Sequence, residues 1–176
     1  MTLDELFEEL DQYDQRVPLD VLDGRLKELR IEPGEIEPFI RFASDCYRRN
    51  LMRAGPAYHA LILCWKNGQR SPIHDHRGSS CGVKVLSGTA TETVFDRTAA
   101  GHIYAVRSRK LEEGYTCGSQ DEDIHQISAI EDDGGDLVTL HIYSPPLLVM
   151  GTYSLTSTKI GSFTDRIHEF CEGAGI

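Results

Sequence analysis

The sequence predicts a mainly β protein, a jelly-roll-like β-barrel behind a helical N-terminal layer. Three observations predict it. From Tyr58 onward, short runs rich in β-formers follow one another with glycine-bearing turns between them, the pattern of a sandwich or barrel. Helical periodicity, with apolar residues three and four apart, is confined to about residues 1–50. A chain of 176 residues, 40% of them hydrophobic, suffices for one domain with a substantial core, and no repeat or low-complexity linker divides it.

Taken in order, Thr2 followed by Glu5 forms a capping-box pattern for a helix with Leu3, Leu6, Phe7 and Leu10 on one face. Pro18 opens a second helix carrying Leu19, Leu22, Leu26 and Leu29, which Pro33-Gly34 breaks. Ile36, Phe39, Ile40 and Ala43 mark a third. Strands are expected over His59–Trp65, Gly82–Ser87, Ala90–Asp96, His102–Arg107, Gly114–Cys117, Asp123–Ile130, Leu137–Tyr143 and Thr152–Thr158. Turns such as Asn67-Gly68, Ser87-Gly88 and Asp133-Gly134-Gly135 separate them. The single domain spans 1–176, with a helical layer at about 1–50, a barrel at about 57–165, and a tail from Ile167 expected as a short helix or loose end.

Composition excludes some functions. A net charge of −10 argues against a nucleic-acid surface and against an anionic membrane. No apolar run approaches the roughly 18 residues that span a bilayer, and the acidic, amphipathic start is unlike a signal peptide. The cysteines (Cys46, Cys64, Cys81, Cys117 and Cys171) are scattered without Cys-x-x-Cys spacing and suit free thiols in a reducing cytoplasm.

Two features carry chemistry. His74 and His76 stand at i, i+2, a spacing that puts both side chains on one face of a strand and suits chelation of one transition-metal ion. His125 is the best third ligand, whereas Asp75, between the pair, points to the opposite face. In Thr139-Leu-His141-Ile-Tyr143 the three polar residues share a strand face, either as a hydrogen-bonded row inside a barrel or as a face turned to solvent.

These residues resemble the cysteine dioxygenase family of thiol dioxygenases, in the cupin superfamily, over about Tyr47 to Pro146. The first cupin motif is met by Gly68, His74, His76 and Gly88, with Cys81 in the glutamate slot. That cysteine marks the mammalian type and implies a thioether cross-link to Tyr143, in the segment His141-Ile-Tyr143-Ser-Pro-Pro146. Bacterial relatives usually carry glycine there. The second motif is degenerate: His125 matches the third ligand, but Ala129 occupies the usual asparagine position. Thr139 stands where the family often has serine, and Met150 where the mammalian type has a second cysteine at the pocket mouth.

The resemblance implies a cupin-type barrel and Fe(II) held by His74, His76 and His125. It implies L-cysteine and O2 as substrates, cysteine sulfinic acid as product, and a monomer. Arg49 would bind the substrate carboxylate, for which guanidinium is the natural bidentate partner, with Arg48 as its competitor. Tyr47 and Trp65 would line the substrate site, and Tyr143, oriented by His141 and Thr139, would hydrogen-bond substrate or oxygen. The alternatives are a dioxygenase of another small thiol, such as 3-mercaptopropionate, and a metal-binding cupin without turnover.

Overall fold

The structure, a computed structural model, describes residues 1–168 apart from 122, 132, 133 and 165. Helix α1 (Leu3–Leu10) starts on the expected capping box, with both Thr2–Glu5 hydrogen bonds made. Helix α2 (Leu19–Glu28) buries Leu22 and Leu26. Helix α3 (Pro33–Ile36) continues only as a 3-10 turn, Glu37–Phe39. The third helix was expected to reach Ala43, but Pro38, inside the run, cannot supply the amide that a longer α-helix needs.

Twelve strands follow among the described residues: β1 (Arg48–Ala54), β2 (His59–Trp65), β3 (Ile73–His74), β4 (Ser80–Ser87), β5 (Ala90–Arg97), β6 (Ile103–Leu111), β7 (Thr116–Gln120), β8 (Ile124–Ser128), β9 (Leu137–Ser144), β10 (Val149–Ser154), β11 (Ser157–Thr164) and β12 (Ile167–His168). Three corrections concern the elements. The helical layer gives way to strand at Arg48, not after residue 50, because Arg49 pairs with Leu63 of β2 and shares its inward face. The single run expected over Thr152–Thr158 is two strands that turn at Leu155-Thr156. The start of the tail is neither helix nor loose, since Ile167 pairs in parallel with Arg49; the rest of the tail lies outside the described residues.

The strands form two six-stranded sheets, β12-β1-β2-β9-β4-β7 and β11-β10-β3-β8-β5-β6. The expected jelly-roll-like barrel is therefore a sandwich rather than a closed barrel. Its edges explain why. Edge strand β6 carries Arg107, Arg109 and Lys110 and is exposed along most of its length, while β7 has only 5 residues. Charged or short edges resist further pairing.

The first sheet is covered on both faces. Leu6, Leu10, Leu22 and Leu26 of the helices pack on Ala60, Ile62, Leu140 and Ile142 of its outer face. Between the sheets lie Leu61, Leu63, Trp65, Val83, Val85, Leu111 and Ile127. Strand β9 is consequently buried at every position. Helix α2 approaches so closely that a Cβ on Gly82 of β4 would lie 2.7 Å from Leu26 Cδ1 and 3.1 Å from Leu22 Cβ. At the β4–β5 turn Gly88 has φ +81° and faces the Asp136 carbonyl, a conformation and a closeness that suit glycine alone. No described helix is long and apolar enough to cross a membrane.

Candidate active site

The His-x-His pair is delivered by β3 and the turn after it. His74 sits opposite His125 in the β3–β8 register, so their rings meet with centroids 4.8 Å apart. His76 N–H donates to the Asp121 carbonyl and its own carbonyl accepts from Ser79, closing a turn that includes Arg77 at φ 41°. This turn brings the His76 ring to 5.3 Å from His74 and 4.8 Å from His125. Asp75 faces the other way, accepting from Gly151 N–H at 2.8 Å and the Tyr153 hydroxyl at 2.7 Å. It thereby ties the histidine pair to β10, next to Met150.

The three histidines form a donor set. One possible ligand atom from each lies within 4.8 Å of the others, and all three side chains are buried. His74 Nδ1 bonds the Pro72 carbonyl at 2.9 Å and His125 Nδ1 bonds Glu92 Oε1 at 3.1 Å, which leaves each Nε2 for other work. His76 Nε2 meets Ser119 Oγ at 3.2 Å, while its buried Nδ1 has no hydrogen-bond partner among the described residues. Burial, with the neighbouring imidazoles, pushes His74 down to about 3 and His76 well below its ordinary value. Three imidazoles crowded in a buried site, with His74 and His76 held neutral and one nitrogen of His76 orphaned, fit a divalent transition-metal ion.

Beside the histidines, β9 supplies the polar row. His141 Nε2 is 3.0 Å from Thr139 Oγ1, and His141 Nδ1 is 3.0 Å from Tyr143 Oη. Trp65 Nε1 donates to Thr139 Oγ1 at 3.1 Å. Burial and the nearby Arg49 guanidinium hold His141 well below its ordinary value, so the imidazole is neutral. A neutral imidazole donates through one ring nitrogen and accepts through the other, so His141 bridges the Thr139 hydroxyl and the Tyr143 phenol. Of the two readings open for this strand, the buried one is correct, because sheet and helices cover both faces.

Arg49 is buried, donates through Nη2 to the Leu147 carbonyl at 3.0 Å, and lies with Cζ 5.2 Å from the centroid of the Tyr143 ring. Tyr47 stacks on Trp65 with ring centroids 4.1 Å apart. Tyr47, Arg49, Trp65, His74, His125, His141, Tyr143 and Met150 line one enclosed chamber. Arg48, the competitor, instead pairs with Asp45. Cys81 is buried directly across the β4–β9 ladder from Tyr143, on the same face, and burial raises its thiol so that it stays protonated.

Sequence reasoning missed the layer behind the three histidines. Glu92 of β5 bonds His125 and is itself held by Arg109 at 2.7 Å. Burial alone would raise this carboxyl, but the hydrogen bonds and charges of His125 and Arg109 bring it to about 2. The only signal in the sequence was an acid at an inward position of an expected strand, two residues after Ala90.

The profile of the cysteine dioxygenase type I family matches residues 6–156. Curated relatives include cysteine dioxygenase type 1 of Danio rerio, 30% identical over 86% of this chain and 79% of that protein. The Rattus norvegicus protein of the same name is 31% identical, and the match covers 74% of this chain and 66% of that one. Similar solved folds include a Thermus thermophilus protein, 14% identical with a TM-score of 0.53 over 63% of this chain and 94% of that one. A Klebsiella pneumoniae protein with a double-stranded β-helix domain is 13% identical at a TM-score of 0.53, over 62% and 81%.

Proposed function

Since the chain belongs to the cysteine dioxygenase type I family, we propose that it oxidises L-cysteine with O2 to cysteine sulfinic acid, using Fe(II) held by His74, His76 and His125. The observation that carries this reading is the buried Arg49 sharing one chamber with His74 and His125 of the three-histidine set. A guanidinium there suits a small ligand that carries a carboxylate. When bound, Fe(II) supplies open coordination positions and favours thiolate over thiol.

The chain's own groups do the rest. Arg49 pairs with the substrate carboxylate and fixes its orientation. Tyr47 and Trp65, stacked and buried, exclude water from one wall. Tyr143, held by His141 and Thr139, donates its phenol proton toward substrate or oxygen. Both oxygen atoms end on sulfur and the thiol hydrogen ends on the acid, so the reaction needs no outside reductant. Cys81 and Tyr143 form a thioether in part of the molecules, with loss of two hydrogens to O2. The protein works as a cytoplasmic monomer; its odd, scattered cysteines suit a reducing compartment, and its charge of −10 suits no nucleic-acid or membrane partner.

The test is anaerobic iron loading followed by O2 and a thiol, with oxygen uptake and mass detection of the sulfinate. L-cysteine is expected to be the preferred substrate. Arg49→Ala should raise the KM for L-cysteine roughly 10- to 100-fold, the worth of a charged hydrogen bond, and barely change that for cysteamine, which lacks a carboxylate. Equal effects on both would remove Arg49 from this role. Preference for 3-mercaptopropionate would reassign the substrate, and no uptake with any thiol would make the protein a non-catalytic cupin.

A further inference from the structure

The three histidines are not held alike. His74 Nδ1 rests on a neutral carbonyl, and His76 meets a serine hydroxyl. His125 Nδ1 faces a carboxylate, and since Glu92 can only accept there, His125 must donate. Glu92 Oε2 in turn accepts from Arg109 Nε at 2.8 Å, and Arg109 Nη1 donates to the Tyr115 hydroxyl at 2.8 Å. The relay runs from the site to the surface, because the Glu92 side chain is 6% exposed and that of Arg109 31%.

We infer that Glu92 is a positioning residue for His125, and that Arg109 tunes how strongly this imidazole donates to the metal. The inference rests on the metal reading given above. A carboxylate on Nδ1–H fixes the ring's tautomer, aims Nε2 at the centre and makes it a stronger donor. Its negative charge is buried one ring away from the metal, where screening is weak. Arg109 partly cancels that charge, but from a wetter position, so its effect is opposite in sign and smaller.

The plainer alternative is a staple between strands, since Glu92 and Arg109 are direct partners in the β5–β6 register. The two accounts separate in metal affinity. A staple lends stability, and its loss shifts affinity in the same direction whichever partner is removed. A tuned ligand responds in opposite directions.

The experiment is titration of the metal-free protein with Co(II), in competition with a chelator, for wild type, Glu92→Gln and Arg109→Met. Glu92→Gln should weaken binding roughly 10- to 100-fold, and Arg109→Met should tighten it by a smaller factor. Affinity in Glu92→Gln within twofold of wild type, or a shift of the same sign in both variants, overturns the proposal. Should Glu92→Gln not fold, Arg109→Met still decides, because weaker or unchanged binding in it is incompatible with charge tuning. Glu92 and Arg109 also line a cleft of about 310 Å³ at the open edge of the sandwich, which gives small carboxylates a route inward. Acetate should therefore restore part of the affinity lost in Glu92→Ala, and a failure of acetate to do so counts against the role. A wild-type protein that binds no divalent metal would instead overturn the reading of the site itself.

Discussion

Tyr143 joins three parts of the site. Its oxygen ends the row from Trp65 through Thr139 and His141, its ring lies beside Arg49, and its neighbour across the ladder is Cys81. Tyr143→Phe removes one oxygen and leaves His141 Nδ1 without its hydrogen-bond partner, at a cost of about 1–3 kcal/mol for a buried polar group. Turnover should therefore fall in this variant while the KM for L-cysteine, set mainly by Arg49, changes less. The same substitution should abolish the thioether. Intact-mass spectra of the wild type are expected to show two forms that differ by two hydrogens, collapsing to one in Tyr143→Phe and in Cys81→Ala. One form in all three proteins would reject the linkage.

At the level of elements, β9 matters because it is central and sandwiched. Alternation sends Val138, Leu140 and Ile142 toward the helices and Thr139, His141 and Tyr143 toward the site, so helix packing and site geometry share a strand. The contact of α2 with β4 sets how close that packing is. Gly82→Ala inserts a methyl where Leu26 and Leu22 already stand, at a cost of about 1–3 kcal/mol for overpacking. Leu26→Ala alone opens a cavity costing about 2–5 kcal/mol. In the double variant the new methyl fills part of that space, so denaturant unfolding should show a loss smaller than the sum of the two. A strictly additive result would mean that the close approach of α2 is not what requires glycine at this position. The N-terminal segment clamps the site from another side: Arg16 bonds Ser80, Gln120 and Asp121, the last of which accepts from His76 N–H.

For the molecule as a whole, the buried imidazoles give stability a pH dependence. His74, His76 and His141 are held neutral in the fold by burial, whereas the unfolded chain takes up protons below the ordinary value of 6.5. Between that value and about 3, where His74 titrates in the fold, the unfolded state binds more protons. Stability of the metal-free protein is therefore full above pH 6.5 and lost as the pH falls. Unfolding free energies by urea at pH 7.5, 6 and 5 should decline in that order. A flat profile would show that the imidazoles are protonated, or solvated, in the folded state. Below about pH 4, protonation of depressed carboxylates such as Asp121, held by its hydrogen bond to Arg16, adds to the loss.

By itself the sequence determined what is periodic or local. The capping box at Thr2, the leucine faces of α1 and α2, and seven of the strands are each written within a few neighbouring residues. So is the shared face of Thr139, His141 and Tyr143, because strand alternation is a property of the backbone, whereas His76 lies past the end of β3 and reaches His74 through a turn. Resemblance extended this to His125, Arg49 and Cys81. Only the tertiary structure decided which strands lie side by side, and with it everything that depends on register. Strand β1 was hidden in a basic run without periodicity, yet the β1–β2 pairing turns Arg49 inward. The β3–β8 register sets His125 against His74, and β5 beside β8 places Glu92 behind it. Register is a long-range outcome of packing two sheets and a helical layer around common cores, and no local pattern encodes it.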